Sequence, residues 1–589
     1  MSSIRFLSTQ NEIKFLKTLT TSKEILSSAI TLEKGGFLVG INYQDLKNDN
    51  LIETLYKWRI KNINAYPSRN KTSIESTYKW LEKHVLNNEN KILFKVIDEG
   101  FNLIGHIGFV IDLKEGEFIV EIDNVIRGLE NVSPGIMTDS LNELIKFTNN
   151  SFFCDKVILR VLKSNNHAIN FYSKNDFKIN SEYSLKKEET STGYNLVKIN
   201  DDELSITPFD YFVIMERQNF LRKEKLILTA GPSISSREKV YSADAAENGW
   251  NSNWSKYLTA FEKEFAKYIG VKYAISTSSC TGAMHIALMA LGIGKGDEVI
   301  VPDITWVSTA NAVRLVGAIP VFADVNLSTW TIDRNSIESL ITNKTKAIIP
   351  VHLYGHPCEM DEIMDLSKKY NLKIIEDAAP SIGAKYKSKK TGSFGDFSAF
   401  SFQGAKLLVT GEGGMLCTND KVLYEKAYKI WDQGRIPGSF WIEELGVKYK
   451  MSNMQAALGL AQLERNDLMV EAKRNINNIY FNRLSNHSKV NFFIESKNAR
   501  SIYWMTSIRL VNTNLTREDF CAKLKERLID TRPVFPSISQ YPYWPKKQDP
   551  QPNSKLIAET GINLPSGVCL SKEQVDYVCD NIIEILDNE

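Results

Sequence analysis

The chain has 589 residues, too many for one hydrophobic core, and this length suggests about three or four domain-sized units. A hydrophobic content of 43% and a charged content of 24% are ordinary for a globular protein, and 72 basic against 70 acidic residues give no bulk attraction to nucleic acid or to an acidic membrane. Seven scattered cysteines without CxxC spacing argue against a disulfide framework or a zinc cluster, and the lack of an apolar run of about twenty residues argues against a membrane span; a cytoplasmic protein without a resident metal is expected.

The opening MSSIRFLSTQNEIKF lacks the apolar core of a signal peptide. From residue 36 to 185, short strands alternate with amphipathic helices. FLVGI reads as a strand and IESTYKWLEKHVL as a helix with apolar residues at helical spacing. ILFKVI, LIGHIGFVIDL and EFIVEIDNVI follow as strands, PGIMTDSLNELIKFTNN as a helix, KVILRVL as a strand, and NHAINFYSKNDF as a helix and loop. The text then turns polar and irregular, so the first domain is placed at 1–200 and a linker at 201–225.

From 226 the strands become strongly apolar: YAISTSS, EVIVPDI, PVFADV, AIIPVHL, KIIEDAA and FSAFSF, with helices between them. Such runs predict a mostly parallel sheet covered on both faces over 226–470. A smaller α+β domain over 471–589 ends in VDYVCDNIIEILDNE. The fold class expected is therefore α/β, with an α+β domain at each end.

The stretch IIEDAAPSIGAKYKSKKTGSFGDFSAFSFQGAKLLVTGEGG carries the clearest chemistry. Asp377 ends an apolar strand, and Lys406 lies between a serine-bearing strand and a glycine turn. Pyridoxal phosphate needs this pair: a lysine amine to hold it as a Schiff base, and a carboxylate to keep its ring nitrogen protonated. TSSCTGAMHIAL places small residues where a strand meets a helix, so Thr281 and Gly282, with Ser279 and Cys280 beside them, suit a phosphate at a helix N-terminus. Trp306, at a strand's carboxyl end, is the candidate to lie on a cofactor ring, and Ser401 can offer its hydroxyl to the phosphate.

With these residues in view, 226–589 resembles the DegT-type sugar aminotransferases, a branch of the fold-type I pyridoxal phosphate enzymes. The resemblance is carried by NGWNSNW, FEKEFAKYIGVKYA, GDEVIVPDITWVSTANAV, VHLYGHP, EDAAPSIGA, GSFGDFSAFSF, GEGG, KYKMSNMQAALGLAQLER and INLPS. It implies that Lys406 is the Schiff-base lysine, Asp377 the pyridinium partner, Trp306 the stacking aromatic, and Ser401, Thr281 and Gly282 the phosphate contacts. A lysine at 406, where dehydratase relatives carry histidine, implies transamination. The sequence departs from the family at Pro380, where Gln or His is frequent, and at Lys448, where Asn reaches the neighbouring subunit's phosphate; Lys448 is retained as a candidate intersubunit ligand. His352, Glu412 and Arg435 are candidate substrate contacts. The resemblance further implies a homodimer, a nucleotide-linked keto-sugar substrate and glutamate as amino donor.

In the first domain, NVIRGLENVSPGIMTDSL follows a strand and opens a helix, so the backbone around Arg127, Gly128, Pro134 and Gly135 can cradle a pyrophosphate. Together with LRVLKSNNHAINFYSKNDFKI, this text resembles the GNAT acyltransferases, although its loop carries extra residues between Gly128 and Gly135. The resemblance implies acetyl-CoA as acyl donor and Tyr172 as the acid that protonates the departing thiolate. Glu121 or Asp123 is then a proton acceptor, and His106 is either functional or a core histidine. The combined expectation is a bifunctional enzyme that aminates a keto-sugar and acetylates the product. Its alternatives are a non-catalytic first domain or a transaminase of a keto-cyclitol.

Overall fold

The computed structural model describes residues 2–589 except 131, 201–202, 204–205, 218–225 and 545–547. The chain divides into two compact units, residues 1–222 with 234–243, and residues 223–233 with 244–589. Much of the expected linker 201–225 lies outside the described residues. Its segment Asp210–Arg217 is a strand of the first unit's sheet, which corrects that expectation. Val213 and Met215 alternate with more exposed neighbours there, a period of two that the polar surroundings masked.

The first unit is built on nine strands: β1 (Ile30–Thr31), β2 (Phe37–Gly40), β3 (Lys91–Ile97), β4 (Leu103–Lys114), β5 (Glu117–Arg127), β6 (Lys156–Leu162), β7 (Phe177–Thr190), β8 (Gly193–Lys198) and β9 (Asp210–Arg217). They lie in the order β1-β2-β3-β4-β5-β6-β9-β7-β8. Among the described residues this sheet's single parallel pairing is β5 with β6, from Ile119–Ile122 against Lys156–Leu159. Beyond it β6 continues against β9, while β5 runs on to Arg127 beside β4, so the two parallel strands part. At the parting β5 carries a bulge, with Asn124 and Val125 opposite Ile107 and Asn124 at φ 53°.

Helices α1 (Ser2–Thr18), α2 (Ser22–Ser27), α3 (Asp49–Lys61), α4 (Ile74–Trp80), α5 (Ile136–Phe152) and α6 (Asn166–Ser173) complete this unit. One face of the sheet supplies Phe94, Phe109 and Phe118 to a core closed by Ile13 and Leu16 of α1 and Leu141 and Leu144 of α5. A second cluster joins Leu51, Leu55 and Trp58 of α3 to Leu93 and Ile126. Each such fully buried side chain contributes roughly 1.5–3 kcal/mol by leaving water.

In the second unit, β10 (Tyr273–Thr277), β11 (Glu298–Pro302), β12 (Ile319–Ala323), β13 (Thr345–Ile348), β14 (Lys373–Asp377), β17 (Phe397–Ser401) and β18 (Gly414–Thr418) form a sheet ordered β10-β18-β17-β14-β13-β11-β12. The short pair β15 (Lys385–Tyr386) and β16 (Lys389–Lys390) lies between β14 and β17 in the chain. Pairings are parallel from β12 through β17, and β18 alone runs against its neighbours. Helix α7 (Ser236–Asn248) contains the third chain crossing between units. It is followed by α8 (Lys256–Ile269), α9 (Cys280–Ala290), α10 (Ser308–Leu315), α11 (Arg334–Leu340), α12 (Met360–Tyr370), α13 (Lys421–Trp431), α14 (Asn453–Leu463) and α15 (Asn466–Leu484). Helix α8 buries Tyr257, Leu258, Phe261, Phe265 and Ile269, the stripe expected of a helix lying on a sheet. The C-terminal part carries a separate antiparallel sheet. Among the described residues no helix is long and apolar enough to cross a membrane.

Candidate active site

Four carboxyl ends of the second unit's sheet converge. In open α/β sheets this edge collects ligands, because the strands stop there and helix N-termini begin. β10 ends at Thr277, and Ser279 caps α9 by accepting the Gly282 N–H at 3.0 Å. The N–H groups of Cys280 and Thr281, in the first turn, have no acceptor within the helix. Close packing explains the glycines here. A Cβ on Gly282 would lie 3.1 Å from the Tyr449 ring, and one on Gly414 would lie 2.6 Å from the Cys280 nitrogen. The bare backbone of β18 therefore lets the α9 terminus sit against the sheet.

β14 ends at Asp377, which is 4% exposed. Its Oδ2 accepts from the Thr309 hydroxyl at 2.7 Å and its Oδ1 from the Ala379 N–H at 3.1 Å. Burial raises the Asp377 carboxyl above its ordinary value, while Thr309, Ala379 and the charge of Lys406 pull it down. Those donors favour the anion in a site where an isolated carboxylate would be costly. Thr309 stands on the first turn of α10, three residues after Trp306, whose indole is 59% exposed and leans on Phe535 at 5.8 Å between ring centres.

Lys406 follows β17 in a tight turn, its N–H bonded to the Gln403 carbonyl at 2.8 Å. Its ammonium lies 3.7 Å from the centre of the Trp504 ring, and Trp504 in turn donates its Nε1–H to the Ala405 carbonyl at 2.8 Å. Burial brings the Lys406 pKa down to about 8, with Asp377 and then Cys280 acting the other way. Ser401, 7% exposed, ends the same strand. Lys406, Asp377 and Cys280 lie within electrostatic reach of one another. A lysine with a depressed pKa, a buried carboxylate and free helix N–H groups fit the amine, ring-nitrogen and phosphate requirements of pyridoxal phosphate.

Other candidates do not join this group. His352 is fully buried; its Nε2 pairs with Glu376 at 3.1 Å and its Nδ1 accepts the Cys358 N–H at 3.0 Å. Glu376 also takes the N–H groups of Gly392, Phe394 and Gly395. His352 thus braces a loop, which corrects its reading as a substrate contact. Arg435 is held by Asp432 at 2.6 Å, which Lys450 also pairs, so its guanidinium is occupied within its own loop. Glu412 is exposed beside the glycine turn, and Lys448 is exposed next to Tyr449, whose carbonyl accepts the Ser278 N–H at 2.6 Å.

In the first unit, Arg127 turns back onto the carbonyls of Leu129, at 3.0 Å, and Glu130, closing its own turn instead of presenting its charge to a pyrophosphate. Gly128 is required by packing, since a Cβ there would fall 2.0 Å from Trp58. Gly135 adopts φ 82° immediately before α5, with Lys34 over it. Glu121 pairs with Arg160 at 2.6 Å, and Asp123 with Lys91. His106 donates from Nδ1 to the Asn124 carbonyl at 2.7 Å, and burial lowers its pKa to about 4. Tyr172 is buried in the core within electrostatic reach of Asp123, and burial raises its pKa.

Trp504 and Thr309 were not foreseen. Thr309 had a signal, since a hydroxyl three residues after Trp306 shares its helical turn. Trp504 had none, because its place over Lys406 depends on how the C-terminal part folds back.

Residues 232–583 match the model of the DegT/DnrJ/EryC1/StrS aminotransferase family. The chain is 44% identical over 361 residues to a GDP-perosamine synthase of Escherichia coli O157:H7, covering 61% of this chain and 98% of that protein. It is 39% identical over 364 residues to a GDP-perosamine synthase of Caulobacter vibrioides, covering 61% and 98%. Among solved structures, DesI in the presence of its TDP-sugar product aligns with a TM-score of 0.57 at 26% identity, over 62% of this chain and 94% of that one. A match across more than half of the sequence, centred on the unit that holds Lys406, shows that the chain belongs to the DegT/DnrJ/EryC1/StrS aminotransferase family.

Proposed function

We propose that the second unit transfers an amino group from glutamate to the keto carbon of a nucleotide-linked deoxysugar, using pyridoxal phosphate. The observation that carries this reading is the grouping of Lys406, Asp377 and the α9 N-terminus at one sheet edge. The relatives support the sugar class: two are GDP-perosamine synthases and one solved neighbour carries a TDP-sugar. A guanosine diphosphate carrier is the first candidate.

Bound at this edge, pyridoxal phosphate supplies an electron sink for the carbon that bears the transferred nitrogen. The chain's own residues do the rest. The N–H groups of Cys280 and Thr281 bind the phosphate, with Ser401 beside them. Asp377, kept anionic by Thr309 and Ala379, holds the proton on the ring nitrogen. Lys406 carries the covalent attachment. Its free amine would take up and return the proton of the carbon that bears the transferred nitrogen, a task suited to a pKa of about 8. Trp306 covers one face with an exposed indole, and Trp504 holds the free amine.

A homodimer belongs to the same proposal. Phe440, Trp441 and Leu445 are 96%, 71% and 83% exposed in the loop that leads to Lys448, a cost that a partner subunit would remove. Lys448 then reaches the partner's phosphate.

For the first unit we propose N-acetylation of the amino sugar by acetyl-CoA, in the same cytoplasmic setting. The amine attacks the thioester carbonyl, the carbon–sulfur bond breaks, Tyr172 protonates the thiolate, and the proton that the nitrogen loses passes to Glu121 or Asp123 and by solvent back to Tyr172. The parting of β5 from β6, the exposed turn 133–135 before α5, and a Tyr172 hydroxyl that burial keeps protonated support this reading. Mass spectrometry of products from nucleotide-linked keto-sugars with glutamate, with and without acetyl-CoA, tests both halves. An amino sugar should form in either case and gain an acetyl group only in the second. No amine from any nucleotide-linked substrate would refute the first half.

A further inference from the structure

Among the described residues of the first unit, two buried donors without a hydrogen-bond partner lie within electrostatic reach of one another. Nη1 of Arg59 and the hydroxyl of Tyr66 are buried, and neither has a hydrogen-bond partner among the described residues. Arg59 closes helix α3 and lies over the face of Trp80, 4.7 Å from the ring centre. Its neighbour Trp58 turns the other way, packing on His106 at 5.9 Å between ring centres and beneath Gly128. Tyr66 packs at the edge of the α3 cluster. Arg59 and Tyr66 lie within electrostatic reach of one another.

The charges around them do not balance. Asp123 is the carboxylate within reach of Tyr66, and it is already engaged by Lys91 and by the Asn124 side chain and backbone. His106 is neutral near physiological pH, because burial holds its pKa at about 4. Arg59 makes no ion pair among the described residues, and burial pushes its pKa down. Tyr66, pushed up to about 12 by burial, keeps its proton and is a donor. A buried donor left unpaired is costly, and an uncompensated buried cation costs more. These costs fall when an anionic ligand accepts from both groups.

We propose that Arg59 and Tyr66 form an oxyanion site in the first unit, taking a carboxylate or phosphate oxygen of a small ligand whose apolar part lies against Trp80. The site stands whether or not this unit transfers acyl groups.

Calorimetric titration of the full, cofactor-loaded chain with sodium pyrophosphate and, separately, with sodium malonate tests the proposal and tells the two oxygen sources apart. At least one anion should bind at millimolar concentration or below. Arg59→Gln should weaken that event by about tenfold or more and Tyr66→Phe by about threefold, the loss expected for a charged and a neutral donor. Transamination should be unchanged in both variants, since neither residue belongs to the second unit. If Arg59→Gln does not fold, Tyr66→Phe alone decides, because it removes a single oxygen. Absence of binding by both anions, or titration of Tyr66→Phe indistinguishable from wild type, overturns the site.

Discussion

At Lys406 burial and charge pull in opposite directions, and burial wins, leaving an amine near pKa 8 where an exposed lysine stands near 10.5. Lys406→Ala should abolish transamination and covalent attachment of the cofactor, read by activity and by absorbance after gel filtration. Trp504→Leu removes the aromatic face under the ammonium, an interaction worth about 0.5–2 kcal/mol. Its kcat should fall roughly 2- to 30-fold with KM for the amino donor little changed. Thr309→Val deprives Asp377 of its hydroxyl donor. A charge-assisted bond of about 1.5–3 kcal/mol predicts a kcat about 10- to 100-fold lower and an acid limb of the pH profile moved to higher pH. Lys406 and Asp377 were legible because strand ends and a glycine turn frame them locally. His352 and Arg435 misled because polarity alone does not reveal that Glu376 and Asp432 already hold them.

Among the elements, α15 carries Lys473, 4% exposed, whose ammonium donates to the Trp504 carbonyl at 2.7 Å and to that of Ser566. It ties the helix to the segment that sets Trp504 over Lys406. Burial lowers its pKa to about 7 from 10.5. The unfolded chain therefore binds more protons than the folded one between those values, and stability rises with pH across that window. Lys473→Met leaves two carbonyls without their donor and removes this linkage. Urea unfolding should show the variant less stable at pH 9, with the deficit shrinking by roughly 1–3 kcal/mol as pH falls to 7. The apolar strands of the second unit's sheet were readable from continuous hydrophobic runs. β7, β8 and β9 were not, because at the sheet's end only alternate residues such as Leu185, Leu196 and Val213 are buried and the rest are polar.

Across the whole molecule, the proposed reading assigns separable chemistry to the two units. Tyr172→Phe should leave amino-sugar formation intact while lowering acetyl transfer by about 100-fold or more, as expected when a general acid is lost. Loss of amination in a folded Tyr172→Phe protein would contradict that division. The most direct test of the account is reduction of the cofactor-loaded protein with borohydride, followed by peptide mass mapping. The account predicts a single phosphopyridoxyl adduct, on Lys406. An adduct on a different lysine, or a protein that takes up no cofactor, would contradict it.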